Sequence, residues 1–328
     1  MKDRVLITGA SGFVGYHLII ECLAKGLDVY AAVRATSQLE HLKSLPITFV
    51  QLDFMDVAAL TTSLTDGQYA YIIHAAGVTK AESAAAYTRV NADYTQHLCA
   101  AVVASGLRLK KFVLLSSLAA LGPAVGVDSI GEDAVPRPVT LYGRSKLLGE
   151  QYAQAFTDLP LIVLRPTAVY GPRDRDIFIL LKTLTHGVEP YIGRQEQKLS
   201  FIYVTDLASI TVASLFSAVH RGSYNVADGH VYNRYALCDF AKQILKRSTL
   251  RIHLPLGVVR ALAFVQEKMA AFRGAAATLN RDKIAELTAA NWSCSIARLQ
   301  ADMGFAPRFN LEQGLGQTLR WYKENNWL

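Results

Sequence analysis

Cysteine is scarce in this sequence, and its spacing excludes two common kinds of scaffold. Four cysteines occur among 328 residues, and none forms a Cys-x-x-Cys pair: Cys22, Cys99, Cys238 and Cys294. A disulfide framework or a metal site is therefore not expected. Reduced thiols of this kind are typical of a cytoplasmic protein.

Long apolar runs are also absent. No stretch reaches the roughly 18 consecutive apolar residues that indicate a transmembrane helix, so we expect no membrane-spanning segment. The first expected strand begins at Val5, which leaves no room before it for a signal peptide. A cytoplasmic location is the simplest expectation.

Dense blocks of basic residues are missing, although the net charge is +7. Such a charge can indicate nucleic acid or an anionic membrane as a partner, but the basic residues occur only in pairs such as Lys110-Lys111 and Lys246-Arg247. No basic recognition helix or zinc-binding spacing is visible, which argues against a nucleic-acid binder. A hydrophobic content of 51% predicts a folded globular chain, and a site for an anionic cofactor accounts for the charge.

The stretch Thr8–Gly15 is the most informative one present. It reads Thr-Gly-Ala-Ser-Gly-Phe-Val-Gly and lies between the apolar run Val5–Ile7 and an amphipathic stretch. That order, strand, glycine turn and helix, is the context of a dinucleotide-binding turn. Gly9 would allow the tight turn, Gly12 would let the backbone approach a pyrophosphate, and Gly15 would let the helix pack closely. The alternative is a glycine-rich turn without a ligand.

Short apolar runs alternate with helical patterns through the first half of the chain. The expected strands are Val5–Thr8, Asp28–Val33, Thr48–Leu52, Tyr71–His74, Lys111–Ser116 and Leu161–Arg165. The expected helices are Gly12–Lys25, Thr36–Ser44, Val57–Leu64, Ala84–Ser105 and Leu141–Phe156. This alternation predicts an α/β protein with a doubly wound parallel sheet, the Rossmann fold.

The pattern changes after about Gly171, and the last third is mainly helical. We therefore expect a dinucleotide-binding Rossmann domain over residues 1–171, to which a later segment of about 196–228 returns. Residues 172–328 would form a smaller, discontinuous and mostly helical substrate-binding lobe over the strand ends, where such sheets bind ligands.

Tyr142 and Lys146 form a second constellation, because positions i and i+4 share one face of a helix. A lysine one turn from a tyrosine can stabilise the phenolate and lower the tyrosine pKa. Such a tyrosine can give a proton to a carbonyl oxygen or take one from an alcohol. The same pair also occurs by chance on ordinary amphipathic helices.

Two serines end the fifth expected strand, at the edge where functional groups of such sheets usually lie. Ser117 could donate a hydrogen bond to a reacting oxygen beside Tyr142. For Ser116, capping of the turn is an equally good interpretation.

Together these motifs resemble those of extended short-chain dehydrogenases/reductases, also called the NAD-dependent epimerase/dehydratase family. The resemblance runs from Val5 to about Tyr322. Besides the motifs above, matching stretches occur in the family's order: His74-Ala75-Ala76-Gly77, Val90-Asn91, Leu164–Pro172 and Phe201–Ala208. Within the family, the chain looks most like the 3β-hydroxysteroid dehydrogenase and dihydroflavonol reductase branch.

The resemblance implies roles for individual residues. Ser117 would orient the substrate oxygen, Tyr142 would act as acid or base, and Lys146 would also bind the nicotinamide ribose. Asp53 would meet the adenine, although a cap for the helix starting near Asp56 is the alternative. The remaining residues that it implies for cofactor binding are Gly9, Ser11, Gly12, Phe13, Val14, Gly15, Phe54, Ala75, Ala76, Gly77, Asn91, Ser116, Pro166, Ala168 and Val169.

The end of the second strand favours NADP(H) over NAD(H). NAD-specific relatives place a carboxylate there to hold the ribose 2′-hydroxyl, but this chain has Val33 followed by Arg34. An arginine can pair with a 2′-phosphate, and Thr36 or Ser37 could add a hydroxyl. A surface arginine at a strand end is the alternative.

Leu199 bears on the substrate. Nucleotide-sugar members of the family commonly carry an arginine at this place, and here only the neighbouring Lys198 could substitute. The favoured function is therefore an NADP(H)-dependent interconversion of a ketone and a secondary alcohol on a small, largely apolar substrate such as a lipid or steroid-like molecule. The alternatives are an NAD-dependent nucleotide-sugar epimerase or dehydratase and, third, a cofactor-sensing protein without turnover.

The stretch Leu254–Val265 is unusually apolar for a late segment, and Gln266, Glu267, Lys268 and Arg273 follow it. It could cover an apolar substrate pocket or touch a membrane surface, but a buried helix of the C-terminal lobe is favoured over membrane contact. A homodimer is also expected, because in the family the helices matching Ala84–Ser105 and Leu141–Phe156 often pair. Their outward faces would carry Ala101, Val102, Leu148 and Tyr152.

Overall fold

A computed structural model describes residues 2–272 and 281–328, with the side chains of residues 267–272 and 281 left out of the description. In these ranges the strands are β1 (Arg4–Thr8), β2 (Asp28–Ala32), β3 (Thr48–Val50), β4 (Tyr71–His74), β5 (Lys111–Leu115), β6 (Leu161–Pro166), β7 (Ala168–Tyr170), β8 (Val188–Ile192), β9 (Lys198–Leu199), β10 (Phe201–Tyr203), β11 (Gly222–Val226), β12 (Tyr232–Asn233), β13 (Leu250–Leu254) and β14 (Asn291–Trp292).

The helices of the same ranges are α1 (Phe13–Ala24), α2 (Val57–Gly67), α3 (Ala84–Thr88), α4 (Tyr94–Ala104), α5 (Leu141–Ala155), α6 (Asp176–Thr185), α7 (Val204–Leu215), α8 (Ala236–Leu245), α9 (Leu256–Phe272), α10 (Arg281–Thr288), α11 (Ala297–Met303) and α12 (Leu311–Glu324). A π-helical turn, Arg89–Asp93, joins α3 to α4. Among the described helices, none is long and apolar enough to cross a membrane.

Seven strands form the central sheet in the order β3-β2-β1-β4-β5-β6-β11. All neighbouring pairs are parallel. The order reverses between β1 and β4, and the crevice at the carboxyl ends of these strands is where doubly wound sheets bind ligands. The predicted Rossmann fold is confirmed, and the predicted strand bounds agree with the structure within two residues.

Side chains alternate between the two faces of this sheet, so each strand contributes to two cores. In β1, Val5 and Ile7 pack in the core with α1 and α7, whereas Leu6 packs in the core with α2, α4 and α5. Because both faces are covered, the strands are largely apolar, as parallel strands usually are, although buried polar residues such as Thr8, His74 and Arg165 occur among them.

The C-terminal lobe has its own core, built from α6, α8, α12 and the parallel pair β7–β10. Asp206 in α7 ties this lobe to the sheet. Its carboxylate is 1% exposed and accepts hydrogen bonds from the backbone N–H groups of Arg308 and Phe309 at 2.9 and 3.0 Å, and from the Arg308 side chain at 3.0 Å. The predicted motif Phe201–Ala208 therefore has a clear structural use.

Two expectations about helices are wrong. Residues 36–44 form turns rather than a helix, with hydrogen bonds such as that from the Leu42 N–H to the Leu39 carbonyl at 2.8 Å. Ala101 and Val102 do not face outward, since they are 0% and 2% exposed and pack against the sheet. Leu148 and Tyr152 are partly exposed.

The apolar segment after β13 also differs from its favoured interpretation. It forms α9. Among the side chains of α9 that the structure describes, those up to residue 266, only Val259 and Ala263 are buried, whereas Val258, Leu262 and Val265 are about half exposed. The helix therefore lies at the surface and is not a buried element of the lobe. Arg273, at the end of the segment considered above, lies outside the described residues.

Candidate active site

The predicted site residues converge on the carboxyl edge of the sheet, around the ends of β1, β4, β5 and β6. The glycine turn after β1 packs directly on the loop after β4. Gly9 has φ +69°, and a Cβ there would lie 2.6 Å from the Ala75 carbonyl oxygen. At Gly15 a Cβ would lie 2.2 Å from the Gly9 carbonyl oxygen. Both positions therefore require glycine.

The first turn of α1 is arranged to receive an anion. Gly12 is the N-cap, no described side chain caps the turn, and the turn contains no acidic residue. The N–H groups of Phe13 and Val14 at such a helix start have no intrahelical acceptor, and the helix dipole favours negative charge beside them. The residues present thus fit the pyrophosphate of a dinucleotide.

A polar turn follows β2 beside the glycine turn. The Arg34 N–H donates to the Ser37 hydroxyl at 3.1 Å, and that hydroxyl lies 3.4 Å from the hydroxyl of Ser11. The guanidinium-bearing side chain of Arg34 is exposed, and Val33 is partly buried. Ser11, Arg34 and Ser37 thus lie together beside the glycine turn.

Asp53 and Phe54 lie in the loop between β3 and α2. The carboxylate of Asp53 accepts the Met55 N–H at 2.9 Å, whereas α2 is capped by Asp56, which accepts the N–H groups of Ala58 and Ala59. Helix capping is therefore not the role of Asp53. The Phe54 ring stacks on Tyr94 with centroids 5.1 Å apart.

A buried chain of hydrogen bonds centred on His74 joins β1 to β4 and to α4. The Ala76 N–H bonds the Thr8 hydroxyl at 3.1 Å, that hydroxyl lies 2.7 Å from His74 Nδ1, and His74 Nε2 lies 3.1 Å from the Thr95 hydroxyl. The Thr95 hydroxyl in turn donates to the Asn91 carbonyl at 3.1 Å. If the proton of His74 is on Nε2, each group in the chain donates to the next: the Ala76 N–H to Thr8, Thr8 to Nδ1, Nε2 to Thr95, and Thr95 to the Asn91 carbonyl. This pattern of donors and acceptors corresponds to a neutral imidazole. Burial lowers the pKa of His74 to about 3, and the charge of Lys146 adds to the effect.

Asn91 lies in the π-helical turn, a feature that often occurs at functional sites. Its side chain accepts the Val78 N–H at 2.9 Å and donates to the Val78 carbonyl at 3.0 Å and to the Ser145 hydroxyl at 2.9 Å. A Cβ at Gly77 would lie 3.0 Å from the same amide oxygen. Asn91 therefore holds the loop after β4 against α5.

Tyr142 and Ser117 meet at the end of β5. Ser117 caps the short 3-10 turn that follows, where its hydroxyl accepts the Ala119 N–H at 3.2 Å. Burial raises the pKa of Tyr142 to about 12; its hydrogen bond with Ser117 acts the other way, and the carboxylate of Glu286 adds to the increase. The expected lowering of this pKa by Lys146 is not seen in this structure.

Lys146 lies one turn after Tyr142 and is 7% exposed. Its ammonium group donates to the Leu115 carbonyl at 2.7 Å, and a Cβ at Gly77 would lie 3.5 Å from it. Burial lowers the pKa of Lys146 to about 8, while the nearby carboxylate of Glu150 acts in the opposite direction. A cation is thus placed between the loop after β4 and the end of β5.

Glu150, a residue of α5 that was not among the predicted site residues, joins this helix to the neighbouring strand. It is 1% exposed and forms a bidentate ion pair with Arg165 of β6, with the Arg165 Nη2 to Glu150 Oε2 distance at 2.7 Å. The Ser116 hydroxyl also donates a hydrogen bond to the Glu150 carboxylate, so the side chain of Ser116 has a structural partner. Glu150 follows Lys146 by four residues, which places both side chains on one face of α5. This spacing could have indicated from the sequence that Glu150 lies close to the site.

A second overlooked contact comes from α10, far along the chain. Asp282 accepts the N–H of Leu141, the first residue of α5, at 2.6 Å, next to the cap provided by Thr140. The contact satisfies a backbone donor that a helix start otherwise leaves free. No sequence pattern links these two positions, which are 141 residues apart.

The part of Leu164–Pro172 that the resemblance implies for cofactor binding lies where β6 passes into β7. Pro166 ends β6, and β7 begins at Ala168, which is exposed, while Val169 is partly buried. Nearby in the lobe, Leu199 is partly buried in the apolar core, and the Lys198 ammonium donates to the Val127 carbonyl at 2.9 Å. Across the described part of the chain, no cluster of three or more metal-binding side chains occurs, and all four cysteines are buried thiols.

Comparison with known proteins agrees with this geometry. The model of the NAD dependent epimerase/dehydratase family matches residues 5–227. Ceramide reductase of Caulobacter vibrioides is 28% identical and covers 100% of this chain and 96% of its own length. An Escherichia coli O157:H7 enzyme, N-acetyl-alpha-D-glucosaminyl-diphospho-ditrans,octacis-undecaprenol 4-epimerase, is also 28% identical, over 98% of this chain and 96% of its own.

Further similarities support the expected branch and the fold. A 3 beta-hydroxysteroid dehydrogenase/Delta 5-->4-isomerase of Mycobacterium tuberculosis is 25% identical over 97% of this chain and 90% of its own. Among solved structures, WbmG of Bordetella bronchiseptica in complex with NAD superimposes with a TM-score of 0.79 at 20% identity, covering 99% of this chain and 95% of that one. The similarity in structure concerns the fold.

The neutral state of His74 predicts a specific sensitivity to acid. Its folded pKa lies below the ordinary value of 6.5, so the unfolded chain binds the extra proton, and the stabilisation is complete above pH 6.5 and lost as the pH falls towards 3. Between pH 7 and pH 5 this group should cost about 2 kcal/mol of unfolding free energy. Urea unfolding of wild type and His74→Gln at both pH values measures it.

The variant should lose less stability than wild type over this interval, because Gln does not titrate. His220→Gln, at an exposed histidine, serves as the control and should behave like wild type. Equal losses in wild type and His74→Gln would show that His74 is not held neutral.

Proposed function

Because this chain belongs to the NAD-dependent epimerase/dehydratase family, we propose that it is an NADP(H)-dependent oxidoreductase that interconverts a ketone and a secondary alcohol on a largely apolar, lipid-like substrate. The main support for this reaction is the hydrogen bond between the side chains of Tyr142 and Ser117. Lys146 lies one turn further along α5. A protein that only senses the cofactor has no need of this set.

Each of these groups has a task in the reaction. The Ser117 hydroxyl orients the substrate oxygen, and the Tyr142 hydroxyl gives its proton to that oxygen in reduction or takes it in oxidation. The Lys146 ammonium, one turn after Tyr142, donates to the Leu115 carbonyl and would bind the ribose of the nicotinamide. A nicotinamide cofactor bound along the crevice supplies or accepts the hydride. Burial raises the pKa of Tyr142, so the proton stays on the phenol until the substrate oxygen takes it.

The turn after β2 supports NADP(H). Arg34 is exposed, and its backbone N–H donates to the Ser37 hydroxyl, which lies 3.4 Å from the hydroxyl of Ser11. A guanidinium and two hydroxyls suit a phosphate group, and Val33 brings no carboxylate that would repel one. NAD(H) is the alternative cofactor.

The lobe supports an apolar substrate. Sugar-nucleotide members of the family grip a diphosphate with a cation at the place of Leu199, and here that side chain packs into the apolar core. The adjacent Lys198 bonds the Val127 carbonyl instead. The similar ceramide reductase acts, by its name, on a lipid.

A sugar epimerase is the second candidate, and one observation favours it. The equally similar Escherichia coli relative is named for a 4-epimerase reaction on a sugar joined through diphosphate to an undecaprenol lipid. Such an enzyme would take hydride from the sugar and return it to the same molecule, keeping NAD bound. Lys198 would then have to leave the Val127 carbonyl to meet the diphosphate.

Replacing Tyr142 by Phe tests the proton donor. Tyr142→Phe should lower kcat by about 10²- to 10⁴-fold, because it removes the acid–base group and little else. Cofactor affinity, measured by fluorescence titration with NADPH, should change little. Tyr152→Phe, at a tyrosine on the same helix, should keep full activity, and unchanged turnover in Tyr142→Phe would contradict the assignment.

Replacing Arg34 by Asp tests the cofactor. Arg34→Asp should lower kcat/KM for NADPH by about 10- to 100-fold through loss of charged hydrogen bonds, and should leave NADH equal or better. Steady-state kinetics with both cofactors measures the change, with the exposed Arg108→Asp as the charge-matched control. A wild-type preference for NADH would overturn the NADP(H) assignment.

A further inference from the structure

Helix α9 carries an exposed apolar strip. Val258, Leu262 and Val265 are 49%, 53% and 54% exposed, and their spacing puts them on one side of the helix. The buried side of the helix is formed by Val259 and Ala263. The helix is thus apolar on its outer side as well as its inner side, which is unusual for a surface helix.

A second exposed apolar strip adjoins it on the ribbon of β8 and β13. Leu250 and Ile252 are 69% and 37% exposed, and Val188, the register partner of Leu250, is 38% exposed. Leu254 lies on the same face of β13, because side chains alternate along a strand, and it packs against the cluster around Val259.

Leu254 therefore brings the end of the ribbon into contact with the buried side of α9. We call the exposed strips of the ribbon and of α9 together the apolar face, which consists of Val188, Leu250, Ile252, Val258, Leu262 and Val265. Exposed patches of this kind usually mark an interaction site.

Positive charge accompanies the apolar face. Between residues 242 and 273 the sequence has seven lysines and arginines and a single acidic residue, Glu267. Lys246 and Arg247 lie exposed just before β13, and Arg260 is exposed on α9. The charge of Arg251 is met by Glu189 and Asp239, and Arg260 lies about 160° around α9 from Leu262. Lys246 and Arg247 are therefore the described basic residues that remain to face an anionic partner.

The apolar face is also close to the candidate active site. Ile284 of α10 packs against Val259 and Ala263 of α9. Two residues earlier on α10, Asp282 accepts the first N–H of α5, the helix that carries Tyr142. Helices α9 and α10 therefore lie between the apolar face and the start of α5, where Tyr142 is located.

We propose that the apolar face docks on the surface of an anionic lipid bilayer, from which the substrate reaches the site beside α10. Apolar residues of α9 and the ribbon enter the boundary between headgroups and acyl chains, and the basic residues meet lipid phosphates. Docking follows from the face itself; only the origin of the substrate rests on the proposed function.

Vesicle sedimentation tests the proposal with the full chain. Wild type should sediment with vesicles of phosphatidylcholine and phosphatidylglycerol, and less with phosphatidylcholine alone. The double variant Leu262→Asp with Val265→Asp should bind about tenfold more weakly, since two apolar contacts are lost. Lys246→Glu with Arg247→Glu should also weaken binding, whereas Ile20→Asp, at an exposed residue of α1, should not. Circular dichroism verifies that the variants are folded.

Several results would overturn docking. Docking would be contradicted if wild type did not sediment with the anionic vesicles. It would also be contradicted if the Leu262→Asp/Val265→Asp variant bound these vesicles as well as wild type does, or if wild type bound vesicles of phosphatidylcholine alone equally well. A loss of oligomer mass in that variant, measured by light scattering without any vesicle binding, would assign the face to a second copy of the chain. Because the assay contains neither cofactor nor ketone, failure of the proposed reaction would leave its outcome unchanged.

Discussion

The neutral imidazole of His74 is the constraint on which the site depends. It lies wholly buried where β1 meets β4, and polar groups in such a place must all be hydrogen-bonded. Thr8 and Thr95 satisfy its two nitrogens, and through them the chain of bonds reaches the Ala76 N–H and the Asn91 carbonyl. The glycine turn, the loop after β4 and the start of α4 are thereby fixed relative to one another.

The helix that carries Tyr142 and Lys146 is in turn held at three places along its length. Asp282 bonds its first N–H, the Asn91 amide bonds the Ser145 hydroxyl in its middle, and Glu150 joins it to Arg165 of the neighbouring strand. A buried ion pair of this kind is costly to break once formed, which favours one fixed arrangement. Proton transfer needs such fixed distances, so the framework of the fold and the chemistry proposed for it are linked.

Local patterns in the sequence predict the sheet and the residues at its edge. The turn Thr8–Gly15 is recognisable because sterics admit only glycine at Gly9 and Gly15. The helix predicted at residues 36–44 is wrong because the spacing of Leu39, Leu42 and Leu45 does not distinguish a helix from a series of turns. In the structure these three leucines contact the core from successive turns. The contact of Asp282 with α5, and the exposed side of α9, depend on how distant segments pack, and no local pattern records that.

The central claim is that one site binds both NADP(H) and an apolar substrate. Mass spectrometry of the protein as purified tests this claim most directly. Native ionisation followed by denaturation would identify any nucleotide and any small molecule that the chain retains. The account predicts NADP(H) together with a lipid. Tightly bound NAD together with a nucleotide sugar would contradict it and would favour the epimerase.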